Sequence, residues 1–192
     1  MILAAGASNR MGRNKMLLPL DGESILRRAA GRAVSAGLDP VVVVLGHDAE
    51  RARAELAGIP CRTVVNPDYA RGVNVSLRAG IAALPADTRA VVVILADMPF
   101  VTASMIETLV ERYRETAAPL VVSDYAGVNA PPMLYDRSLF PELGAMEGEG
   151  CGKQVVKKHR SEAAVVFWPA EALADVDVPD DYERARSSLA SG

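Results

Sequence analysis

Two stretches, Val41-Val42-Val43-Val44-Leu45 and Val91-Val92-Val93-Ile94-Leu95, are apolar at every position. A strand with one wet face alternates apolar and polar side chains, because successive Cβ atoms point to opposite sides of the sheet. An unbroken apolar run instead needs cover on both faces. That is the requirement of a mostly parallel sheet flanked by helices. Further strands are expected at Ile2 to Ala5, Arg62 to Val65 and Leu120 to Ser123, with the second run starting at Ala90. Helical spacing runs from Ser24 to Ala36, with Ser24 as cap and Gly37 as stop, and from Thr102 to Glu115, opened by a capping threonine. Asp48 to Ala57, Val73 to Leu84 and Asp180 to Leu189 complete the helices. With no internal repeat or linker, residues 1–192 are expected to form a single doubly wound α/β domain. After Ala126 the pattern loosens, with Pro131-Pro132, Pro141 and glycines from Gly144 to Gly152, so the part around 125–160 is expected to be an excursion covering the site.

Where the first strand ends, residues Leu3 to Lys15 read Leu-Ala-Ala-Gly-Ala-Ser-Asn-Arg-Met-Gly-Arg-Asn-Lys. Ala4, Ala5, Gly6, Ala7 and Ser8 carry almost no side-chain bulk, so an anion can approach the backbone N–H groups, and Gly6 is free to take the positive φ that aims them together. Arg10 adds a planar fork and Lys15 a point charge, with Arg13 a third cation between them. The segment reads as a phosphate cradle, placed beyond the carboxyl end of a strand where open α/β sheets bind ligands. It is neither Gly-x-Gly-x-x-Gly nor Gly-x-x-x-x-Gly-Lys-Ser/Thr, since Gly6 and Gly12 are too far apart and Asn14 precedes the lysine. A flexible, solvated basic loop is the plain alternative.

Composition narrows the classes. With 21 basic against 24 acidic residues the formal charge is -3, which argues against general nucleic-acid or membrane-surface binding and makes the cations of the loop a local feature. No apolar run approaches the roughly 20 residues of a membrane span, and the N-terminal apolar stretch is too short for a signal peptide. Cys61 and Cys151 form no Cys-x-x-Cys or Cys/His cluster, which fits a reducing cytoplasm and gives no zinc site. His47 and His159 stand in no catalytic spacing.

Leu-Ala-Ala-Gly-x-Ser-x-Arg-Met-Gly-x-x-Lys followed by Leu17-Leu18-Pro19-Leu20 resembles the signature of the MobA-like nucleotidyltransferases, and more closely their molybdenum cofactor cytidylyltransferase (MocA-type) branch. The resemblance continues at Val65 to Gly72, Ser76 to Gly80, Ala96-Asp97-Met98-Pro99 and Asp175 to Tyr182, and so spans nearly the whole chain. It implies a Rossmann-like nucleotidyltransferase fold and transfer of CMP from CTP to the phosphate of molybdopterin, with Mg²⁺ as cofactor and pyrophosphate as product. Leu3, Ala4, Ala5 and Gly6 would then bind the nucleotide with Arg10, Lys15 and Asp97, the last three being the catalytic set. Guanylyl-transferring relatives usually have Gly where this chain has Ala5, which favours CTP over GTP.

Asp97 follows the strand ending at Leu95 and would point into the crevice, where Mg²⁺ takes one or two carboxylates; a cap or turn before Met98-Pro99 is the alternative. The family pattern makes Asp177 the second metal ligand, beside Asp175, although acids opening the last helix also suit its dipole. Gly72 and Ser76, at a helix start, are candidates for reading the base, with Asn74 or Ser76 as an alternative helix cap. Farther on, Ala130, Pro131, Cys151 and Lys153 depart from the family's usual residues in the segments that would face the acceptor, and Lys is no equivalent of Arg at a bidentate phosphate site. Other acceptors are a sugar or polyol phosphate. From other classes come a nucleotide-binding module delivering cofactor to a molybdoenzyme, and an NAD(P)H-dependent oxidoreductase, against which the absence of Gly-x-Gly-x-x-Gly counts.

Overall fold

The computed structural model describes residues 1–190. Its strands are β1 (Ile2–Ala4), a small hairpin of β2 (Pro19–Leu20) and β3 (Glu23–Ser24), β4 (Val41–Leu45), β5 (Cys61–Val65), β6 (Ala90–Leu95), β7 (Leu120–Tyr125), β8 (Val128–Asn129), β9 (Met133–Asp136) and β10 (Ala164–Trp168). The helices are α1 (Ile25–Ser35), α2 (Ala49–Glu55), α3 (Val73–Ala82), α4 (Ala103–Thr116), α5 (Phe140–Gly144), α6 (Lys153–Lys158) and α7 (Pro179–Ala190). The main sheet has the order β10-β7-β9-β6-β1-β4-β5, with β8 attached to β7. β5, β4, β1 and β6 run parallel, as do β7 and β10, while β9 is antiparallel to both β6 and β7.

The unbroken apolar runs are covered on both sides. Val41, Val43, Leu45, Val92 and Ile94 pack with Leu26, Ala30, Ile106 and Leu109 of α1 and α4. Val44, Val91 and Val93 point the other way, against Leu77 of α3, Leu143 of α5 and Val155 and Val156 of α6. Each fully buried Leu, Ile or Val contributes about 1.5–3 kcal/mol, so this two-sided burial is the main force holding the sheet. A smaller cluster of Met11, Leu18, Leu20, Ile25, Val176, Tyr182 and Ala185 fastens the loop after β1 to α7. Ser24 caps α1 by accepting from the Arg27 N–H, and Thr102 caps α4 by accepting from the Met105 N–H.

The chief difference from the sequence expectation lies after Ala126. Part of that region is no excursion: β9 enters the middle of the sheet and β10 forms its edge, and neither was expected as a strand. β9 is four residues long, follows two prolines, and pairs with partners far along the chain, Ala90 with Asp136 and Leu120 with Tyr135, so no local turn signal marks it. Among the described residues no helix is long and apolar enough to cross a membrane.

Candidate active site

A cleft of about 1060 Å³ opens beyond the carboxyl ends of β1 and β6, and Leu3, Ala4, Ala5, Gly6, Arg10, Lys15, Gly72, Ser76, Asp97 and Asp177 all line it. The loop after β1 achieves its curl differently from the expectation. Gly6 is not in the left-handed region; Ser8 (φ 55°) and Gly12 (φ 65°) are. Ser8 is held there by its own side chain, whose Oγ accepts from the Lys15 N–H at 3.1 Å, closing the loop on itself. Space around the Cβ direction of Gly6 is empty, so its smallness keeps the backbone open to the cleft. Gly46, which sequence reasoning passed over, braces the loop from behind: its missing Cβ would sit 2.6 Å from the Ala5 carbonyl oxygen. His47 N–H donates to that same oxygen at 3.1 Å. A glycine directly after an unbroken strand run was the available signal.

Lys15 is buried, and its Nζ donates to Asp97 Oδ2 at 2.5 Å and to Asp177 Oδ1 at 2.8 Å. Arg10 reaches the other oxygen of Asp177 at 2.6 Å. Burial works against the ammonium of Lys15, but the charges and hydrogen bonds of Asp97 and Asp177 outweigh it and raise its pKa. Burial likewise opposes ionisation of Asp177, yet Lys15 and Arg10 hold its carboxyl below the usual range. Asp175 is shifted the opposite way, upward, by partial desolvation and then by the charges of Asp177 and Asp97. The capping question at α7 resolves in favour of Asp181, which accepts from the N–H groups of Asp177 and Val178 and leaves Asp177 free to face Lys15. The Val176 N–H donates to the Asp97 carbonyl at 2.9 Å, drawing this acidic segment onto the end of β6. Arg13 is diverted from the cleft and stacks over the Tyr182 ring, 5.9 Å from its centroid.

Asp97 and Asp177 fit a hard divalent cation. Both offer oxygen, they converge about one positive charge, and no third His, Cys, Asp or Glu closes a cage around them among the described residues. This suits an ion that keeps waters and phosphate oxygens in its shell.

Across the cleft, α3 begins without a side-chain cap, so neither Asn74 nor Ser76 takes that role. Asn74 is instead fully buried as a latch. Its Nδ2 donates to the carbonyls of Glu147 and Glu149, and its Oδ1 accepts from the Gly152 N–H. The glycine-rich segment is thereby pinned to the first turn of α3. Gly72 permits the approach: at φ 115° it is strained for any side chain, and a Cβ would lie 2.5 Å from the Gly148 oxygen. Ser76 accepts from Asn66, a bond sequence reasoning did not anticipate because nothing local links the two residues.

The far end of the cleft is lined by Ala130, Pro131, Cys151 and Lys153, the residues singled out as departures, and by Lys157 and Arg160, which were not singled out. Lys153, Lys157 and Arg160 recur at near-helical spacing, a signal the sequence did carry. Burial and then the charge of Asp97 push the Cys151 thiol up to about 12, so it stays protonated and inert as a nucleophile. The His47 ring lies against Tyr69, and His159 pairs with Glu142 and Glu162; neither histidine lines the cleft.

The chain is similar to known proteins over nearly its whole length. The chain is 30% identical to the purine catabolism protein PucB of Bacillus subtilis, with 98% of this chain and 96% of the relative covered. It is 30% identical to nicotine blue oxidoreductase of Paenarthrobacter nicotinovorans, covering 83% of this chain and 81% of the relative. Among solved structures, Rv0371c of Mycobacterium tuberculosis superposes with a TM-score of 0.88 at 30% identity, over 97% of this chain and 95% of that one. The same protein in complex with manganese gives 0.82 at 28% identity, over 97% and 96%. Residues 1–164 match the MobA-like NTP transferase domain, and the chain belongs to that family of nucleotidyltransferases.

Proposed function

We propose that the chain is a cytoplasmic, magnesium-dependent enzyme that moves CMP from CTP to the phosphate of a molybdopterin-type acceptor and releases pyrophosphate. The observation that carries this reading is the meeting of Lys15, Asp97 and Asp177 beneath the open backbone of residues 3–8. In the transfer, an acceptor phosphate oxygen forms a bond to the α-phosphorus while the bond to the β-bridging oxygen breaks, its electron pair leaving with pyrophosphate. No general base is required, because a phosphate monoester with a second pKa near 6 is already largely ionised. Leu3, Ala4, Ala5 and Gly6 leave room for the nucleotide, Arg10 and Lys15 neutralise charge on the triphosphate, and Gly72 and Ser76 face the base. Asp97 and Asp177 would hold Mg²⁺, whose contribution is Lewis acidity toward phosphate oxygens. The protein's own share is alignment and preorganised charge.

The test is pyrophosphate release from each nucleoside triphosphate with Mg²⁺, with and without molybdopterin. Release with CTP that depends on the acceptor supports the assignment; release with GTP alone replaces cytidylyl by guanylyl transfer. A second reading, an NAD(P)H-dependent oxidoreductase, draws on the likeness to nicotine blue oxidoreductase. Bleaching of a dye by NADPH in place of pyrophosphate release would select it.

A further inference from the structure

Asn66 and Ser76 are both buried, and Asn66 Nδ2 lies 3.0 Å from Ser76 Oγ. The direction of this bond is fixed by a third group. The backbone N–H of Asp68 lies 3.0 Å from Asn66 Oδ1, and an N–H can only donate, so the oxygen of the amide faces Asp68 and its NH₂ faces the serine. Ser76 Oγ must therefore accept, and its single proton is left to be given elsewhere. Thr108 and Thr116 spend theirs on the carbonyl four residues back along α4. Ser76, in the first turn and a half of α3, does not, and no acceptor receives its O–H among the described residues. Ser76 is one of the residues that line the cleft.

We infer that Asn66 is a positioning residue that locks Ser76 as a hydrogen-bond donor toward the nucleobase, so that the cleft selects a base presenting a bare lone pair at that point. The inference rests on the nucleotidyl-transfer reading and deepens it. Cytosine offers two adjacent bare acceptors at N3 and O2, whereas the pairing edge of guanine has one, O6, beside N1 and N2, which both carry hydrogen. A donor that cannot turn round discriminates more strongly than a free hydroxyl, which would rotate to suit either edge.

Asn66→Asp tests the polarity directly. The carboxylate still accepts from the Asp68 N–H but can no longer donate, so the Ser76 hydroxyl turns to give it a proton and offers the base a lone pair. Binding of CTP, GTP and inorganic tripolyphosphate, each with Mg²⁺, is measured by calorimetry for the wild type, Asn66→Asp, Ser76→Ala and the double variant. Each single change is expected to weaken CTP about tenfold, the double no more than either single, and tripolyphosphate binding not at all. GTP should lose less than about threefold, so that the CTP-to-GTP preference collapses. Should the buried charge of Asn66→Asp prevent folding, Ser76→Ala, which removes one oxygen, decides. CTP binding unchanged in the variants, losses that add, or equal losses for tripolyphosphate would overturn the inference while leaving nucleotidyl transfer standing. A wild-type chain that binds no nucleoside triphosphate overturns both.

Discussion

The two ends of the cleft are built on different principles. The end under residues 3–15 rests on parallel strands, β1 flanked by β4 and β6, and its charges are paired: Lys15 with two aspartates and Arg10 with one of them. The end under residues 128–160 hangs from a reversed strand and a glycine-rich segment, and its cations, Lys153, Lys157 and Arg160, have no carboxylate within ion-pair distance among the described residues. Paired charge is held in place before any ligand arrives, which is what preorganised stabilisation requires. Unpaired, exposed charge is adaptable and adds attraction without fixing geometry. The first end is therefore suited to the invariant part of a reaction, the triphosphate, and the second to a partner recognised mainly by its charge.

The largest effect expected from this contrast is at Lys15. Replacing it by methionine should lower turnover on the order of 100-fold or more, the scale of losing one preorganised charge, as followed by pyrophosphate release. Lys153→Met, at the other end, should instead raise the apparent KM for the acceptor by about tenfold or less and leave nucleotide binding unaltered. Equal losses of turnover in the two variants would erase the distinction.

Next comes Asn74→Ala. It strips the partners from two carbonyls and one N–H of the glycine-rich segment, at a cost of about 2–3 kcal/mol. Amide exchange should speed up across residues 147–152 and stay slow at β1. Uniform acceleration would mean that the segment is no separate unit.

The smallest effects are electrostatic and of opposite sign. Asp177 has its carboxyl lowered, so its contribution to stability is full above the unfolded value near 4 and fades as pH falls through the folded one. Asp175 has its carboxyl raised, so its charged form costs stability at neutral pH and ceases to do so once protonated. Thermal melts at pH 7 should accordingly show Asp177→Asn less stable and Asp175→Asn more stable than the wild type, with both differences shrinking as falling pH protonates the two carboxyls, that of Asp175 first. Shifts of the same sign at pH 7 would refute the assignment of Lys15 and Arg10 to Asp177 rather than to both acids.

The same contrast explains what could be read from the sequence. Val41 to Leu45 and Val91 to Leu95 declare their two-sided burial in their own composition, and Ser24 and Thr102 announce the helices they cap. Lys15, Asp97 and Asp177 could be named because each sits beside a strand end or helix start in a recognisable motif. Their mutual ion pairs could not, since the partners lie 82 and 162 residues apart. Gly6 was credited with a conformation that Ser8 and Gly12 adopt, because composition says where a loop bends but not which residue bends it. Asn66 and Asn74 look like ordinary turn and cap residues; only tertiary structure supplies the serine and the loop on which they act. β9 is invisible for the same reason, its register being set by strands on either side that are distant in sequence.

The reversed strand also has a consequence for the order in which the molecule can be made. While the ribosome works from the N-terminus, β1, β4, β5 and β6 can assemble, with β6 as their open border. That border is Val91 to Leu95, an apolar, uncharged ribbon of the kind that pairs readily with a stranger. It is sealed only when Met133 to Asp136 emerge and dock in antiparallel register, bringing β7 with them. Nascent chains arrested before residue 133 should associate with one another or with chaperones, and those released after residue 136 should not, which makes these four residues the stopper of the nascent sheet, with Met133 also lining the cleft.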